Sequence, residues 1–357
     1  ELASGLPTIK VPDLELQRDM NDVVLATFGR GFYVLDDYTP LRGLTEEQLD
    51  QDALLFPVRE ALRYIPSRLA PGSDGGQDWS ADNPPYGAVF TYYLQEPLKS
   101  LEAQRRAAEK ELREEEEPVY YPSWVALRAE EREETPQILL TVRDADGEIV
   151  RRVPGPTGAG IQRASWNLRY PGAGPADVVD ATQRSPWEQV DDGPLALAGA
   201  YTVELTSRVR GEETRLAGPV EFTVRDLERN PLRSDQEAKL AFELEVEDLR
   251  RRVEGATREW RLAMDRLGRM RVAAAAVAAP AMQDELADLE NRLRDLWITL
   301  GGDETIARRN EATPASIRER LGRVSWGLRS TTMGPTATQE KNVALASREF
   351  DQAGVHQ

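Results

Sequence analysis

Residues 21–42, NDVVLATFGRGFYVLDDYTPLR, constrain this chain more than any other stretch, because they read as two short strands joined by a tight turn. Val23, Val24, Leu25 and Ala26 form an apolar run of strand length. Gly29 and Gly31 flank Arg30 in the turn, where a positive φ costs glycine nothing. Phe32, Tyr33, Val34 and Leu35 build the second strand from residue types that suit a pleated surface. Asp36 and Asp37 then stop the pairing, and the chain leaves through Thr39 and Pro40. Residues 8–11 and 13–16 read as preceding strands. So few strands cannot bury both of their faces, so the segment requires neighbouring sheets.

The run ATFGRGFYVLDDYTPLR resembles the closing blade of the large bacterial β-propeller proteins related to sortilin and to the bacterial-neuraminidase (BNR, Asp-box) repeat proteins. Many members of that group are labelled glycosyl hydrolases. Looser similarity continues through DNPPYGAVFTYYL, WNLRYPG and GPLALAGAYTVEL, and so spans most of the chain. The resemblance implies that residues 1–42 are closing strands of an incomplete propeller whose other blades lie upstream of Glu1. It also implies a secreted or periplasmic protein, with a ligand site on the propeller where relatives of sortilin bind peptides or proteins.

Residues 43–85 read as a connector. Thr45 is placed to cap a short turn of helix in LTEEQL, and prolines and glycines then punctuate a polar passage. Asp74, Gly76 and Trp79 have the spacing of an Asp-box core, but Gly72 and Asp78 stand where that motif has serine and threonine. A glycine-rich loop with a chance match is the favoured reading.

From 86 to 228 the pattern is that of a β-sandwich, with strands at 88–94, 137–143, 148–153, 162–168, 200–209 and 220–225. Tyr201, Val203 and Leu205 alternate with Thr202, Glu204 and Thr206, the period of a half-buried strand. Asp146-Gly147 is a hairpin turn signal. The segment resembles the immunoglobulin-like domain of flagellar hook-capping proteins, which makes Trp166 a core anchor between two sheets. A helical insertion interrupts it at 97–135, with an acidic run at 114–117. Tyr120, Tyr121 and Trp124 are expected to pin that insertion back onto the sheets.

From 234 to 357 the chain reads as helical. Ser234 and Glu237 have capping-box spacing. Phe242, Val246, Leu249, Val253, Ala256, Trp260, Ala263, Leu267 and Met270 step by three and four along one helix face. Met282, Leu286, Leu289, Leu293, Leu296 and Leu300 repeat the pattern after Pro280, which predicts an antiparallel helical hairpin. Thr313-Pro314 signals a third helix, with Ile317, Leu321, Val324 and Leu328 facing the hairpin, and a fourth is expected at 339–350. The fold class is therefore multidomain β plus α: terminal propeller-blade strands, an immunoglobulin-like sandwich with a helical insertion, and a C-terminal antiparallel helical bundle.

Composition narrows the chemistry. A net charge of -17 repels nucleic-acid phosphate and anionic head groups, so nucleic acid is not an expected partner. No apolar run reaches the ~18 residues of a membrane span, so membrane insertion is not expected either. There is no cysteine, and the lone histidine is His356, which excludes thiolate chemistry, a histidine-rich zinc site and a Ser-His-Asp triad within this sequence. Adjacent Asp36 and Asp37 point to opposite sides of a strand, so they cannot form the carboxylate pair of a glycosidase. They read as turn and capping residues, and Arg30 as their salt-bridge partner; a ligand role for Arg30, Asp36 and Asp37 is the sharper alternative. Asp144, Asp146, Gly147 and Glu148 begin like a calcium loop but lack its later ligands, which favours the hairpin turn. Tyr86, Tyr92, Tyr93, Tyr120, Tyr121 and Trp124 are able to stack on sugar rings, but filling and edging a sandwich is favoured. No cofactor and no metal is called for. The expected function is non-catalytic: a binding and scaffolding region whose partners are the upstream blades and a protein, peptide or glycan ligand. The alternative is part of a sialidase-like glycoside hydrolase with its active site on those blades.

Overall fold

The computed structural model describes residues 8–66, 83–174, 192–227, 234–277 and 279–354. The proposed Asp-box residues Asp74, Gly76 and Trp79 lie outside them. The chain divides into two compact units, Glu1–Asn167 with Ala198–Asp226, and Leu168–Leu197 with Leu227–Gln357.

The first unit opens with an antiparallel meander, β1 (Asp13–Gln17), β2 (Asp22–Ala26) and β3 (Phe32–Leu35). The β2–β3 turn closes as glycine requires: Gly29 and Gly31 take φ of +80° and +70°, and Thr27 donates to the Gly31 carbonyl from both its N–H (3.1 Å) and its hydroxyl (2.7 Å). Residues 8–11 are not a strand. A 3-10 turn (Thr39–Leu41) and helix α1 (Glu46–Leu49) follow, and Thr45 and Gln48 form a reciprocal capping box.

The expected connector also supplies two strands, β4 (Ala53–Leu55) and β5 (Ala61–Arg63). Each is three residues long, with Pro57 between them, so neither shows a readable period; their burial comes from the sheets they join. The chain continues as β6 (Ala88–Leu94), α2 (Leu101–Glu114), α3 (Trp124–Arg132), β7 (Gln137–Arg143), β8 (Ile149–Gly155), β9 (Gly160–Trp166), β10 (Arg169–Pro171), β11 (Asp192–Leu195), β12 (Gly199–Val209) and β13 (Glu212–Asp226). Strands β10 and β11 belong to the second unit. In the first, β4–β6–β9 is an antiparallel sheet, and β5–β13–β12–β7–β8 is a second sheet in which only the β5–β13 pair is parallel.

The two sheets meet through aromatic rings. Phe90 on β6 and Trp166 on β9 lie edge-to-face with Phe222 on β13 at 5.5 and 6.3 Å, and Trp166 also meets Tyr201 on β12 at 5.4 Å. All four are buried. Gly87 sits at φ +105° directly against the Trp166 backbone, where any Cβ would drive into the Trp166 carbonyl oxygen. Helices α2 and α3 bury no residue of their own. They are tied by Arg105, which forks onto Glu130 (2.8 and 3.0 Å) and reaches Glu109 (2.6 Å). Tyr120, Tyr121 and Trp124 stand exposed beside α3 and do not pin the insertion to the sheets.

In the second unit β10 and β11 pair antiparallel, and β11 packs on α4 (Gln236–Ala276). α5 (Pro280–Leu300), α6 (Glu304–Ala307), α7 (Ile317–Arg329) and α8 (Ala337–Gln352) complete it. Val246, Leu249 and Val253 of α4, Leu321, Val324 and Leu328 of α7, and Val343 and Phe350 of α8 share one core with Leu300 of α5. The caps fall one to three residues from their sequence signals. Asp235 caps α4, because the Ser234 hydroxyl instead donates to the Thr332 carbonyl (2.8 Å). Ser316 caps α7, leaving Thr313-Pro314 in the preceding loop. Trp260 and Trp297 stack at 4.2 Å, and the Trp260 indole donates to the Leu293 carbonyl (2.8 Å).

The aromatic contact between the sheets sets an expectation for stability. Trp166→Ala should lower the unfolding free energy by about 3–5 kcal/mol in urea titration. Trp124→Ala, at a ring that is 69% exposed, should change it by less than about 0.5 kcal/mol.

Candidate functional site

Strand β9 has two faces, and the alternation of side chains assigns them. Trp166 points into the aromatic core, so Arg163 and Ser165 point the other way. The register of β6 against β9 sets Val89 opposite Ser165 on that outer face. Over it lie Asp36 and Asp37, where β3 ends, and Arg59 and Glu60, between β4 and β5. Pro84, Pro85 and Gly87 close the remaining side of a cleft of about 160 Å³.

The arginines here hold backbone. Arg163 donates from its two terminal nitrogens to the carbonyls of Asp36 and Asp37, both at 2.7 Å. Arg59 donates to the Met20 carbonyl at 2.6 Å. Strand ends leave carbonyls without ladder partners, and a planar guanidinium satisfies two of them at once. Asp37 takes φ +44°, a left-handed conformation that aspartate tolerates better than most residues. Its N–H donates to the Asp22 carboxylate (2.9 Å), and its own carboxylate accepts from the Thr39 N–H (3.2 Å).

Asp36 differs from Asp37. Burial pushes its carboxyl above the ordinary range, the Asp22 charge pushes it further, and Arg163 and Arg59 pull it back. Its backbone carbonyl is committed to Arg163, and the residue lines the cleft. Of the three residues singled out in the sequence, Asp36 and Asp37 come together here. Arg30 does not: it is exposed at the β2–β3 turn, beyond the far end of β3 and roughly 20 Å away at about 3.3 Å per strand residue. The expected salt bridge is therefore replaced by Arg163, which lies 126 residues from Asp37 in the chain.

A second charged cluster lies inside the helical unit. Glu247, buried on α4, accepts from Arg250 (2.7 and 2.9 Å), Arg329 (3.2 Å) and Ser325 (3.4 Å), and Lys239 pairs with Glu243 at 2.6 Å. Glu243, Glu247, Ser325 and Arg329 of this cluster line a cavity of about 10 Å³ beside Pro194, too small for a ligand. Among the described residues no group of three or more His, Asp or Glu side chains is placed to hold a metal ion, and no helix is long and apolar enough to cross a membrane. The Asp144–Glu148 segment is a turn in which the Asp144 carboxylate accepts from the N–H groups of Asp146 (3.1 Å) and Glu148 (2.9 Å). Tyr92 is buried with its hydroxyl donating to the Pro156 carbonyl (2.5 Å), which closes its ring to a sugar, and Tyr86 exchanges hydrogen bonds with the Tyr64 backbone and lies edge-to-face with the Tyr64 ring at 4.8 Å. No protein-family model matches the chain, and no curated protein or solved structure matches it.

The Asp36 carboxyl gives a pH signature with a definite sign. The folded protein keeps this proton to higher pH than the unfolded chain, so this group's contribution to stability is lost as pH rises from 3.8 through the raised folded value. Asp36→Asn keeps the backbone carbonyl that Arg163 needs and removes the titration. Urea midpoints taken between about pH 3.5 and 6 should show a segment in the wild type, falling with pH, that the variant lacks. Arg163→Ala leaves both carbonyls without their guanidinium and should cost about 2–4 kcal/mol by the same titration.

Proposed function

We propose that this chain is a binding and scaffolding region of a sortilin-like, BNR-repeat propeller protein, with β1–β2–β3 as part of its closing blade. The carrying observation is the composition of that small sheet. Register places Leu14, Leu16, Val23, Leu25, Tyr33 and Leu35 on one face, and Asp13, Glu15, Gln17, Asp22, Val24, Ala26, Phe32 and Val34 on the other. The first face is apolar throughout, and the second is apolar across β3 and the paired part of β2, with Leu14, Leu16, Phe32 and Val34 exposed. Strand β1 alternates polar with apolar residues as a strand with one solvent face does, whereas β3 and most of β2 are apolar on both sides. A propeller blade is covered by a neighbouring blade on each face, and this composition suits it.

On this reading the β4–β6–β9 and β5–β13–β12–β7–β8 sheets are an immunoglobulin-like sandwich, and the second unit is a helical bundle that braces or docks. Arg163 and Arg59 lock the blade onto the sandwich, and the Asp36–Asp37 cleft beside the joint is the ligand-facing surface. Its carboxylates and prolines suit a peptide or glycan held by hydrogen bonds. The two arginines are occupied by backbone carbonyls and leave no arginine cluster of the kind a sialidase presents to its substrate carboxylate. The role is binding, in a protein secreted or periplasmic as its sequence resemblance implies.

Incubation with fluorogenic glycosides, sialosides included, should give no turnover above buffer. Turnover that vanishes in Asp36→Ala would overturn the reading and place a hydrolytic carboxyl at this joint. The structural half is tested by hydrogen exchange. In a protein carrying upstream blade repeats, amides of β1 and β3 should gain at least tenfold protection over the chain alone. Unchanged exchange would remove the blade assignment.

A further inference from the structure

The second unit holds a cavity of about 650 Å³ where the C-terminal ends of α5 and α8 meet the N-terminal end of α7. That volume falls in the range of pockets that take a small molecule. The connection from α5 to α7 carries a single turn of helix, α6, so three helix ends converge with no long helix filling the space between them. Leu296 and Ile298 of α5, Ile306 of α6 and Pro314 give the cavity apolar walls, and Ile298 is 46% exposed there.

Charge identifies the ligand class. Three charged residues line the cavity: Asp303, Arg320 and Glu349. Arg320 donates from a terminal nitrogen to the Asn342 side-chain oxygen (3.1 Å), while its buried Nε lies 3.6 Å from Glu349 without a hydrogen bond. The Glu349 carboxylate therefore has a loose ion pair and no hydrogen-bond donor among the described residues. One Asp303 oxygen accepts from the N–H groups of Thr305 (2.9 Å) and Ile306 (3.3 Å), and the other has no partner among the described residues. Two carboxylates against one guanidinium leave the cavity net negative. The helix ends add to this, since α5 and α8 bring negative C-terminal ends and α7 alone a positive one, partly met by the Ser316 hydroxyl. We infer that the cavity binds a small organic amine in its protonated form, the ammonium between Asp303 and Glu349 and the apolar body against Leu296, Ile298, Ile306 and Pro314. An ammonium brings three donors to carboxylates that lack them. A carboxylate ligand would face two like charges and an arginine already engaged by Asn342.

Titration calorimetry of the whole chain tests this with three probes of one shape: 4-phenylbutylamine, 4-phenylbutanol and 4-phenylbutyrate. The amine should bind with Kd of about 1 mM or tighter, a strength ordinary for a ligand of that size. The alcohol and the carboxylate should bind at least about tenfold more weakly. Asp303→Asn, which keeps a good cap for α6, and Glu349→Gln should each weaken the amine about fivefold or more. Ala315→Trp, at a residue lining the cavity, should abolish binding by filling it. Glu340→Gln, an exposed acid in the first turn of α8, should leave binding within about twofold. No heat from the amine up to about 5 mM overturns the inference. So does an alcohol that binds as tightly as the amine, a carboxylate that binds more tightly, or a loss with Glu340→Gln equal to that with Glu349→Gln.

Discussion

Strand β9 carries the first unit on its two faces. Trp166 on the inner face meets Tyr201 and Phe222, Phe222 in turn meets Phe90, and that cluster decides how the two sheets face each other. Arg163 on the outer face takes the carbonyls where β3 ends. A period of two is what allows one strand to serve both tasks: a slip of one residue would bury the guanidinium and expose the indole. The register is fixed further by Gly87, whose missing Cβ admits the Trp166 backbone. The hydrophobic core and the charged cleft are therefore two consequences of one strand alignment.

The acidic character of the chain is handled locally. Glu109 and Glu130 are held below the ordinary carboxylate range chiefly by hydrogen bonds from Arg105, and Glu290 by Arg294. Buried Glu247 collects three donors from α4 and α7, so helix packing and charge satisfaction are set together there. Removing a single partner would leave a charge stranded in a low-dielectric site, a larger loss than the net worth of the pair. Surface pairs such as Arg106–Glu102 sit in water and contribute little.

Much of the fold was legible because it rests on local signals. Strands β3, β6 and β7 and the helical seams of α4 and α5 follow from periodicity and turn chemistry, which act over a few residues. Strands β4 and β5 escaped because three residues carry no period; their place comes from partners far along the chain. The assignment of residues 168–197 to the helical unit escaped for a related reason, since packing on α4 leaves no mark in the strands themselves. The caps of α4 and α7 slipped because several adjacent Ser, Thr and Asp residues compete, and tertiary contacts such as Ser234 to Thr332 select among them. At the site, the Asp36-Asp37 stop was visible as strand-end chemistry. Arg163 was not, because nothing near it in the sequence announces a partner 126 residues away.

That asymmetry also separates structural work from chemical capacity at the cleft. The backbone of Asp36 and Asp37 is what Arg163 recognises, so the clamp is indifferent to their side chains. Asp37 then spends its carboxylate on the Thr39 N–H, and Asp22 spends one oxygen on the Asp37 N–H. Asp36 lines the cleft with Asp37 and Glu60, and burial and the Asp22 charge disfavour its ionised form, which Arg163 and Arg59 only partly offset. On the proposed reading, a carboxyl held where burial and a like charge disfavour its ionised form is the group on that cleft to test for ligand contact.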